Sequence, residues 1–294
     1  MIFSSKILLF GEYSVLHGSD ALLMPFPEYS GYFDFYSDLD KPSHEELASN
    51  QSLERFKDYI QKSGMESIVD VEGFRSDLAK GLYFKSNIPT GYGVGSSGAL
   101  VAAFYSRYVV QSAGNKLYKH LTKTKDELGK LESFFHSKSS GFDPLVSLVN
   151  KPILSRNGDI VPVDVKLSKF HPFLIDTGIE RNTASLVALF NEKMRDKHYQ
   201  SILQNQLVGL SNSCIDAVLQ EDLGRFFENI QRLSEFQVTH LADMIPADYV
   251  PLWQQGLSTN KFYLKLCGAG GGGFILGFAR DLNIKSTLPN AIII

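Results

Sequence analysis

The spacing of hydrophobic residues switches repeatedly between alternation and a three-to-four-residue period, which is typical of a chain that mixes strands and helices. Three apolar runs near the start predict strands, and they are KILLF (6–10), ALLM (21–24, ended by the following PFP) and YFDFY (32–36). Residues 43–62 have the spacing of a polar surface helix. Its predicted inward positions are Leu47, Leu53, Phe56 and Ile60.

A strand within GLYFKSNIPT (81–90) leads into the loop GYGVGSSGAL (91–100) and a helix from Ser96 to about Gln111. Residues 124–136 return to helical spacing. The stretch SSGFDPLVS (139–147) predicts a turn and a short helix that is capped by Asp143 and has Pro144 in its first position. Of these elements, the strand within 81–90 and the helix from Ser96 are thus predicted to be connected by the glycine loop.

The second half of the chain predicts a hairpin, a helical region and a final group of strands. Two short strands flank the Asn-Gly turn of KPILSRNGDIVPVDV (151–165), and HPFLIDTG (171–178) predicts a buried strand. Residues 181–257 are mostly helical in pattern. Two apolar strands around a glycine tract (262–278) and a final AIII complete an α+β pattern, and a chain of 294 residues most often forms two domains.

Composition and charge narrow the classes of function. A formal net charge of -3 with a pI near 6.2 argues against a dedicated nucleic-acid or anionic-membrane binder. Cys214 and Cys267 are far apart without a CxxC pair, so we expect buried thiols, a reducing compartment and no zinc site. The apolar run near the start is short and is interrupted by Lys6 and Glu12, so no signal peptide is predicted. We expect a cytoplasmic protein.

The glycine loop is the first candidate for chemistry. Glycines permit positive φ and close approach, and a helix that begins directly after them offers free N–H groups and a partial positive charge to an anion. Phosphate is the natural candidate. A glycine-rich turn in which Ser96 or Ser97 only caps the helix explains this stretch equally well when it is taken alone.

Four motifs in order make the sequence resemble the small-molecule kinases of the GHMP superfamily, which includes galactokinase and the homoserine, mevalonate and phosphomevalonate kinases. They are KILLFGEYSVLHG (6–18), IPTGYGVGSSGAL (88–100), HSKSSGFDPLVS (136–147) and KLCGAGGGGFILGF (265–278). The second is similar to the PxGxGLGSS phosphate loop, with Gly98 for the usual alanine. The segment FGEYSVLHG and RNTASLVA (181–188) bring the sequence closest to mevalonate kinases, with Tyr13 in place of a histidine.

The resemblance implies a two-domain α+β fold. The N-terminal ATP-binding domain with the phosphate loop is expected over 1–168. A C-terminal domain with a ferredoxin-like sheet that closes the active-site cleft is expected over 169–294. A homodimer is compatible with the sequence.

The implied reaction is transfer of the ATP γ-phosphoryl group to the C5 hydroxyl of mevalonate, with Mg²⁺. By resemblance, Asp143 is the catalytic base or orients the hydroxyl, with Lys6 beside it. The predicted phosphate cradle consists of Gly91, Gly93, Gly95, Ser96, Ser97 and Gly98. Ser97 and Glu132 are the expected metal ligands, because Glu132 precedes Asp143 by the family's eleven-residue separation; Glu127 is the competing choice.

Acceptor-side candidates come from the other motifs. Arg181 is a candidate for binding a substrate carboxylate, and Thr183 is either an active-site residue or a helix cap. The remaining candidates are Glu12, His17, Gly270 and Gly271.

Two further interpretations stay open at the level of sequence. The acceptor could be phosphomevalonate, homoserine or a sugar, or the chain could be a nucleotide-binding member without catalysis. The complete set of Lys6, Ser97, Glu132 and Asp143 favours an enzyme, and the few basic residues in the acceptor segments argue against an acceptor with an extra phosphate.

Overall fold

A computed structural model describes residues 1–37, 41–110, 120–136, 138–181, 183–281 and 283–294. The strands are β1 (Phe3–Phe10), β2 (Ala21–Phe35), β3 (Leu82–Ser86), β4 (Ile153–Arg156), β5 (Asp159–Pro162), β6 (Pro172–Asp176), β7 (Phe262–Leu266), β8 (Phe274–Ala279) and β9 (Ile292–Ile293). The helices are α1 (His44–Lys62), α2 (Val71–Ala79), α3 (Ser96–Tyr108), α4 (Leu121–Glu132), α5 (Phe142–Val149), α6 (Thr183–Lys193), α7 (Lys197–Ile202), α8 (Val208–Leu219), α9 (Leu223–His240), α10 (Val250–Thr259) and α11 (Ile284–Thr287). The α+β class is confirmed.

One long strand replaces the two short strands predicted between residues 21 and 36. β2 runs through Pro25 and Pro27 without ending. Its first residues, 21–23, pair with β4, and residues 31–35 pair with β3. The prolines lie outside both of these ladders, so their missing N–H groups remove no bond from either.

The sequence predictions for helices α1 and α3 each need a correction. In α1, Leu53, Phe56 and Ile60 are buried as expected, but Leu47 is 41% exposed. Helix α3 ends at Tyr108 because Val109 takes an extended backbone and forms a bridge with Val69. The predicted end at Gln111 lies outside the described residues.

The chain forms two compact units that interleave along the sequence. The first unit comprises residues 1–6, 25–89 and 94–151, and the second comprises 7–24, 90–93 and 152–294. The strands β1 and β2 each contribute residues to both units. The domain division at 168/169 that the resemblance implies stays a prediction.

In the first unit, helices pack through an aromatic cluster and through close approaches at glycine. The rings of Phe56 and Phe74 meet Phe104 of α3 edge to face, with centroids 5.0 and 4.9 Å apart. A Cβ on Gly98 of α3 would lie 2.9 Å from the backbone carbonyl carbon of Asp143 in α5. Glycine at this position therefore lets α3 lie directly against the start of α5.

In the second unit, a four-stranded antiparallel sheet has the order β7-β8-β6-β9. Helices α6 to α10 connect β6 to β7, and α11 connects β8 to β9. This succession and strand order are those of a ferredoxin-like sheet, as expected. Cys214 and Cys267 are both buried and free, in agreement with the sequence prediction.

Among the described helices, none is both long enough and apolar enough to cross a membrane.

Candidate active site

The glycine loop has the backbone of an anion-binding turn. Gly91, Gly93 and Gly95 all have positive φ, at 76°, 69° and 83°. Helix α3 begins directly afterwards, and its first intrahelical bond runs from the Ala99 N–H to the Gly95 carbonyl. The N–H groups of residues 96–98 thus have no intrahelical acceptor and are available to oxygen atoms of an anion.

Lys6 and Asp143 lie beside the start of α3 and form an ion pair. The Lys6 Nζ is 2.9 Å from the Asp143 Oδ2, and the Lys6 side chain is only 7% exposed. The Lys6 backbone N–H donates to the Val94 carbonyl, which ties β1 to the loop. A Cβ on Gly95 would lie 3.0 Å from the Lys6 Cγ, so the loop glycine also makes room for this lysine.

Asp143 does not cap α5, contrary to the sequence prediction. The cap position belongs to Gly141, whose φ is 78°, and Asp143 is the second residue of the helix. A Cβ at Gly141 would lie 2.0 Å from the Lys125 carbonyl oxygen, which explains why the chain turns at this glycine. The Asp143 carboxylate is therefore free to pair with Lys6, and it lies in the first turn of α5, where a negative group interacts favourably with the helix dipole.

Ser97 and Glu132 are in direct contact in the first unit. The Ser97 hydroxyl donates to the Glu132 Oε1 over 2.9 Å, and the Ser139 hydroxyl donates to the Glu132 Oε2. The His136 Nε2 lies 3.0 Å from the Ser97 Oγ. Burial, and to a smaller extent the negative charge of Asp143, raise the pKa of Glu132 to about 7, although the two hydroxyl donors and Lys6 act in the opposite direction.

The competing metal ligand Glu127 lies elsewhere. The Tyr105 hydroxyl donates to the Glu127 Oε2 over 2.6 Å, and the Lys123 Nζ is 3.8 Å from the Glu127 Oε1. Of the two carboxylates, Glu132 is the one that contacts Ser97.

The Ser97–Glu132 contact fits a magnesium ion. Two hard oxygen ligands are adjacent, and Glu132 is a buried carboxylate whose negative charge a cation would compensate. Within the described ranges, no group of three or more His, Cys, Asp or Glu side chains could hold a metal ion. That sparse donor set suits Mg²⁺, which usually keeps waters and substrate phosphate oxygens as its other ligands.

In the second unit, Glu12 forms a buried ion pair with Lys265, a residue that the sequence analysis missed. The Lys265 Nζ donates to the Glu12 Oε1 over 2.5 Å and to the Leu266 carbonyl over 2.6 Å. Lys265 is 0% exposed and Glu12 4% exposed. Burial raises the pKa of Glu12, while Lys265 and the Gly268 N–H lower it. Glu12 thus fixes the start of the glycine tract. In the sequence, the one indication of its partner is a charged residue, Lys265, inside the apolar strand β7.

Arg181 and Tyr13 line one region of the second unit. The Arg181 Nη1 donates to the Cys267 carbonyl over 2.7 Å, and its buried Nε has no hydrogen-bond partner among the described residues. A Cβ on Gly93 would lie 1.4 Å from the Arg181 Nη2, so this loop glycine is required by the guanidinium. The Tyr13 hydroxyl donates to the Ala269 carbonyl over 2.7 Å, and its ring stacks on Phe190 with centroids 4.3 Å apart.

His17 and Thr183 have different surroundings. The centroid of the His17 ring lies 6.0 Å from that of Phe190, and within the described part of the chain the buried His17 Nε2 has no hydrogen-bond partner. Thr183 is exposed and is the first residue of α6, so it lies one position inside the helix rather than at the cap. Of the two, His17 is the residue with an unsatisfied polar atom.

The glycine tract approaches other parts of the protein. A Cβ on Gly270 would lie 2.2 Å from the Met244 carbonyl oxygen, and one on Gly271 would lie 2.6 Å from the Leu186 Cδ1. The Gly271 N–H also donates to the Met244 carbonyl over 2.6 Å. Packing within the protein thus accounts for these two glycines, and their predicted contact with substrate stays a prediction.

Comparison with protein families identifies the N-terminal part of the chain. Residues 52–151 match the family model of the GHMP kinases N-terminal domain. Comparison of the whole sequence with curated proteins gives no significant match.

The fold is similar to that of several solved GHMP kinases. The structure of L. major mevalonate kinase in complex with R-mevalonate is 20% identical, with a TM-score of 0.65 over 98% of this chain and 89% of that one. Mevalonate kinase from Methanococcus jannaschii gives 17% identity and a TM-score of 0.64, covering 100% and 96%. Streptococcus pneumoniae phosphomevalonate kinase with phosphomevalonate and AMPPNP gives 16% and 0.61, covering 99% and 94%. These findings confirm the GHMP resemblance and the GHMP kinase fold.

Proposed function

We propose, from the premise that this chain belongs to the GHMP kinase superfamily of small-molecule kinases, that it transfers the γ-phosphoryl group of ATP to the C5 hydroxyl of mevalonate. The observation that carries the proposal is the Lys6–Asp143 ion pair at the start of α3, next to the Ser97–Glu132 contact. Phosphoryl transfer needs a phosphate cradle, charge neutralisation and an oriented hydroxyl, and this arrangement supplies a candidate for each.

Each candidate site residue in the first unit then has a defined role. The free N–H groups at the start of α3 bind phosphate oxygens. Asp143, one-third exposed while Lys6 is buried, accepts the hydrogen bond or the proton of the acceptor hydroxyl. The Lys6 ammonium holds the Asp143 carboxylate in position through their ion pair and offsets negative charge on the transferring group. Ser97 and Glu132 would hold Mg²⁺, which when bound spreads the charge of the polyphosphate.

The second unit supports an acceptor that carries a carboxylate. Arg181 is held by the Cys267 carbonyl, yet no described residue is a hydrogen-bond partner of its Nε. A guanidinium binds a carboxylate with two parallel hydrogen bonds. Tyr13 and Phe190 place aromatic surface near this cation, since the Arg181 charge acts on the Tyr13 hydroxyl. A hydroxy acid with an apolar branch, such as mevalonate, fits such surroundings better than a sugar.

The test is ADP release from Mg·ATP with mevalonate, phosphomevalonate, homoserine, galactose or no acceptor. We expect turnover with mevalonate, and a loss of about 10²- to 10⁴-fold in kcat for Asp143→Asn. Asp126→Asn on α4 is the matched control, because Asp126 is exposed and pairs only with Lys125 among the described residues. Turnover with another acceptor alone would replace the substrate assignment, and ATP binding without turnover would favour a non-catalytic member.

A further inference from the structure

A pocket lies in the second unit, and none of the residues that line it is among those assigned above. It has a volume of about 490 Å³ and lies between α9 and the start of α8. Its floor includes Leu210 and Phe236, which are buried, and amide, hydroxyl and charged side chains surround them. A pocket with an apolar floor and a few polar groups, within the usual range of about 300–1,000 Å³, is typical of small-molecule sites.

Two unusual backbone features lie at this pocket. Residues Leu203–Leu207 form a π-helical turn, a rare conformation that is frequent at functional sites, and Asn205 and Gln206 of this turn line the pocket. Gly209 follows in α8, where glycine weakens a helix. A Cβ on Gly209 would meet no heavy atom within 4 Å, so the missing side chain leaves space in the pocket and serves no contact within the protein.

Two opposite charges line the pocket, and among the described residues neither has an ion-pair partner. Arg232 and Glu235 are exposed and lie one turn apart on α9, at a spacing that commonly forms an ion pair. No such pair joins them; among the described residues the Arg232 side chain has no hydrogen bond to the protein, and the Glu235 side chain has only a 3.5 Å bond from Gln231. A ligand with both a negative and a positive group would satisfy the two together.

Helix α8 connects the pocket to the segment that carries Glu12, Tyr13 and His17. The Ser14 hydroxyl donates to the Ser211 Oγ over 3.1 Å, and the Asp20 N–H donates to the Asn212 Oδ1 over 2.9 Å. Gly209 and Leu210, which line the pocket, directly precede these two residues in α8. Movement of α8 at the pocket would therefore be transmitted to residues 11–20.

We propose that this pocket binds a small zwitterion of the amino acid class, with its carboxylate on Arg232 and its ammonium on Glu235, and that α8 couples its occupancy to residues 11–20. The apolar floor of Leu210 and Phe236 receives an apolar side chain. The site is separate from the proposed kinase chemistry, and binding is measured without ATP or an acceptor, so the two proposals fail independently.

The experiment is calorimetric titration of the full chain with L-leucine and two analogues that each lack one charge, 4-methylpentanoate and 3-methylbutylamine. We expect saturable binding of L-leucine and at least about tenfold weaker binding of either analogue. Arg232→Gln and Glu235→Gln should each weaken leucine binding by about tenfold, and Gly209→Leu should abolish it by filling the pocket. Arg225→Gln and Glu228→Gln, on the same helix but outside the pocket, should bind like the original chain.

Several outcomes would overturn the proposal. They are no saturable leucine binding up to about 10 mM, equal binding of the singly charged analogues, or equal weakening by the control variants. The coupling is tested by amide hydrogen exchange, in which leucine should change the protection of residues 11–20 in the original chain and leave it unchanged in Gly209→Leu. Unchanged exchange in the original chain despite binding would disprove the coupling.

Discussion

At the scale of single residues, the surroundings of Glu132 raise its pKa and so make the stability of the protein depend on pH. Its carboxyl group is 3% exposed and lies near the negative charge of Asp143, which raises its pKa from 4.5 to about 7. The unfolded chain releases this proton near pH 4.5, whereas the folded protein keeps it to about pH 7. The free energy of unfolding therefore falls between these two pH values as pH rises.

Glu132→Gln should remove this pH dependence. Relative to the original chain, the variant should gain up to about 3 kcal/mol of stability between pH 4 and pH 8, because a pKa shift of one unit corresponds to about 1.4 kcal/mol. Urea denaturation at both pH values measures the difference. Mg²⁺ added at pH 8 should stabilise the original chain and leave the variant unchanged; a parallel pH dependence in the two proteins would contradict the prediction.

The Glu12–Lys265 pair leads to a second prediction at this scale. Lys265→Met leaves the Glu12 carboxylate buried without its cation, so the variant should lose about 3–5 kcal/mol of unfolding free energy. Adding Glu12→Gln to that variant should restore most of the loss, since no buried charge remains. Denaturant unfolding of the two single variants and the double variant measures the coupling.

A surface lysine provides the control for this cycle. The exposed Lys169 pairs with Glu221, and Lys169→Met should leave the unfolding midpoint unchanged. If Lys265→Met also left the unfolding midpoint unchanged, the Glu12–Lys265 pair would not contribute to stability. The glycine tract would then be fixed by its other contacts.

At the scale of elements, the motif Ser-Ser-Gly at the start of α3 places two helices in contact. Gly98→Ala adds a Cβ that would lie 2.9 Å from the Asp143 carbonyl carbon and 3.0 Å from the Pro144 nitrogen. We expect a loss of about 1–3 kcal/mol in stability. We also expect a lower kcat, because α5 must move and carries Asp143 away from Lys6.

The matched control is another helical glycine. Gly209→Ala in α8 meets no atom within 4 Å, so it should stabilise the protein by about 0.5–1 kcal/mol through helix propensity alone. Thermal unfolding and ADP-release assays on both variants separate the two effects. A Gly98→Ala variant as stable and as active as the original chain would show that the α3–α5 approach tolerates a methyl group.

The elements that were predictable from sequence are those whose pattern is local. Strand β1, helix α1 and the Asn157–Gly158 hairpin turn follow from periodicity and turn chemistry, and both turn residues have the positive φ that this turn requires. The cap of α5 was mispredicted because the backbone turn at Gly141 depends on the Lys125 carbonyl, a contact made by another helix. Local sequence contains no record of that approach.

At the scale of the whole molecule, the family resemblance predicts one long-range contact and misses another. It implies that Lys6 lies beside Asp143, and in the structure the Lys6 Nζ is 2.9 Å from the Asp143 Oδ2. Lys265 stayed hidden, because its role depends on burial next to Glu12, which lies 253 residues away in the chain. Long-range burial of a charge is a tertiary property that a motif does not encode.

The interleaving of the two units leads to a last prediction. Strands β1 and β2 each have residues in both units. Unfolding of either unit would therefore disrupt strands that also belong to the other unit. We therefore expect one cooperative transition in urea, which is the behaviour of a single folding unit.

The single tryptophan, Trp253, is fully buried in the second unit and reports on that unit alone, whereas far-UV circular dichroism reports on helices of both. The two signals should have coincident midpoints. A fluorescence transition that is displaced from the dichroism transition would show that the second unit unfolds independently, and the shared strands would then not couple the units.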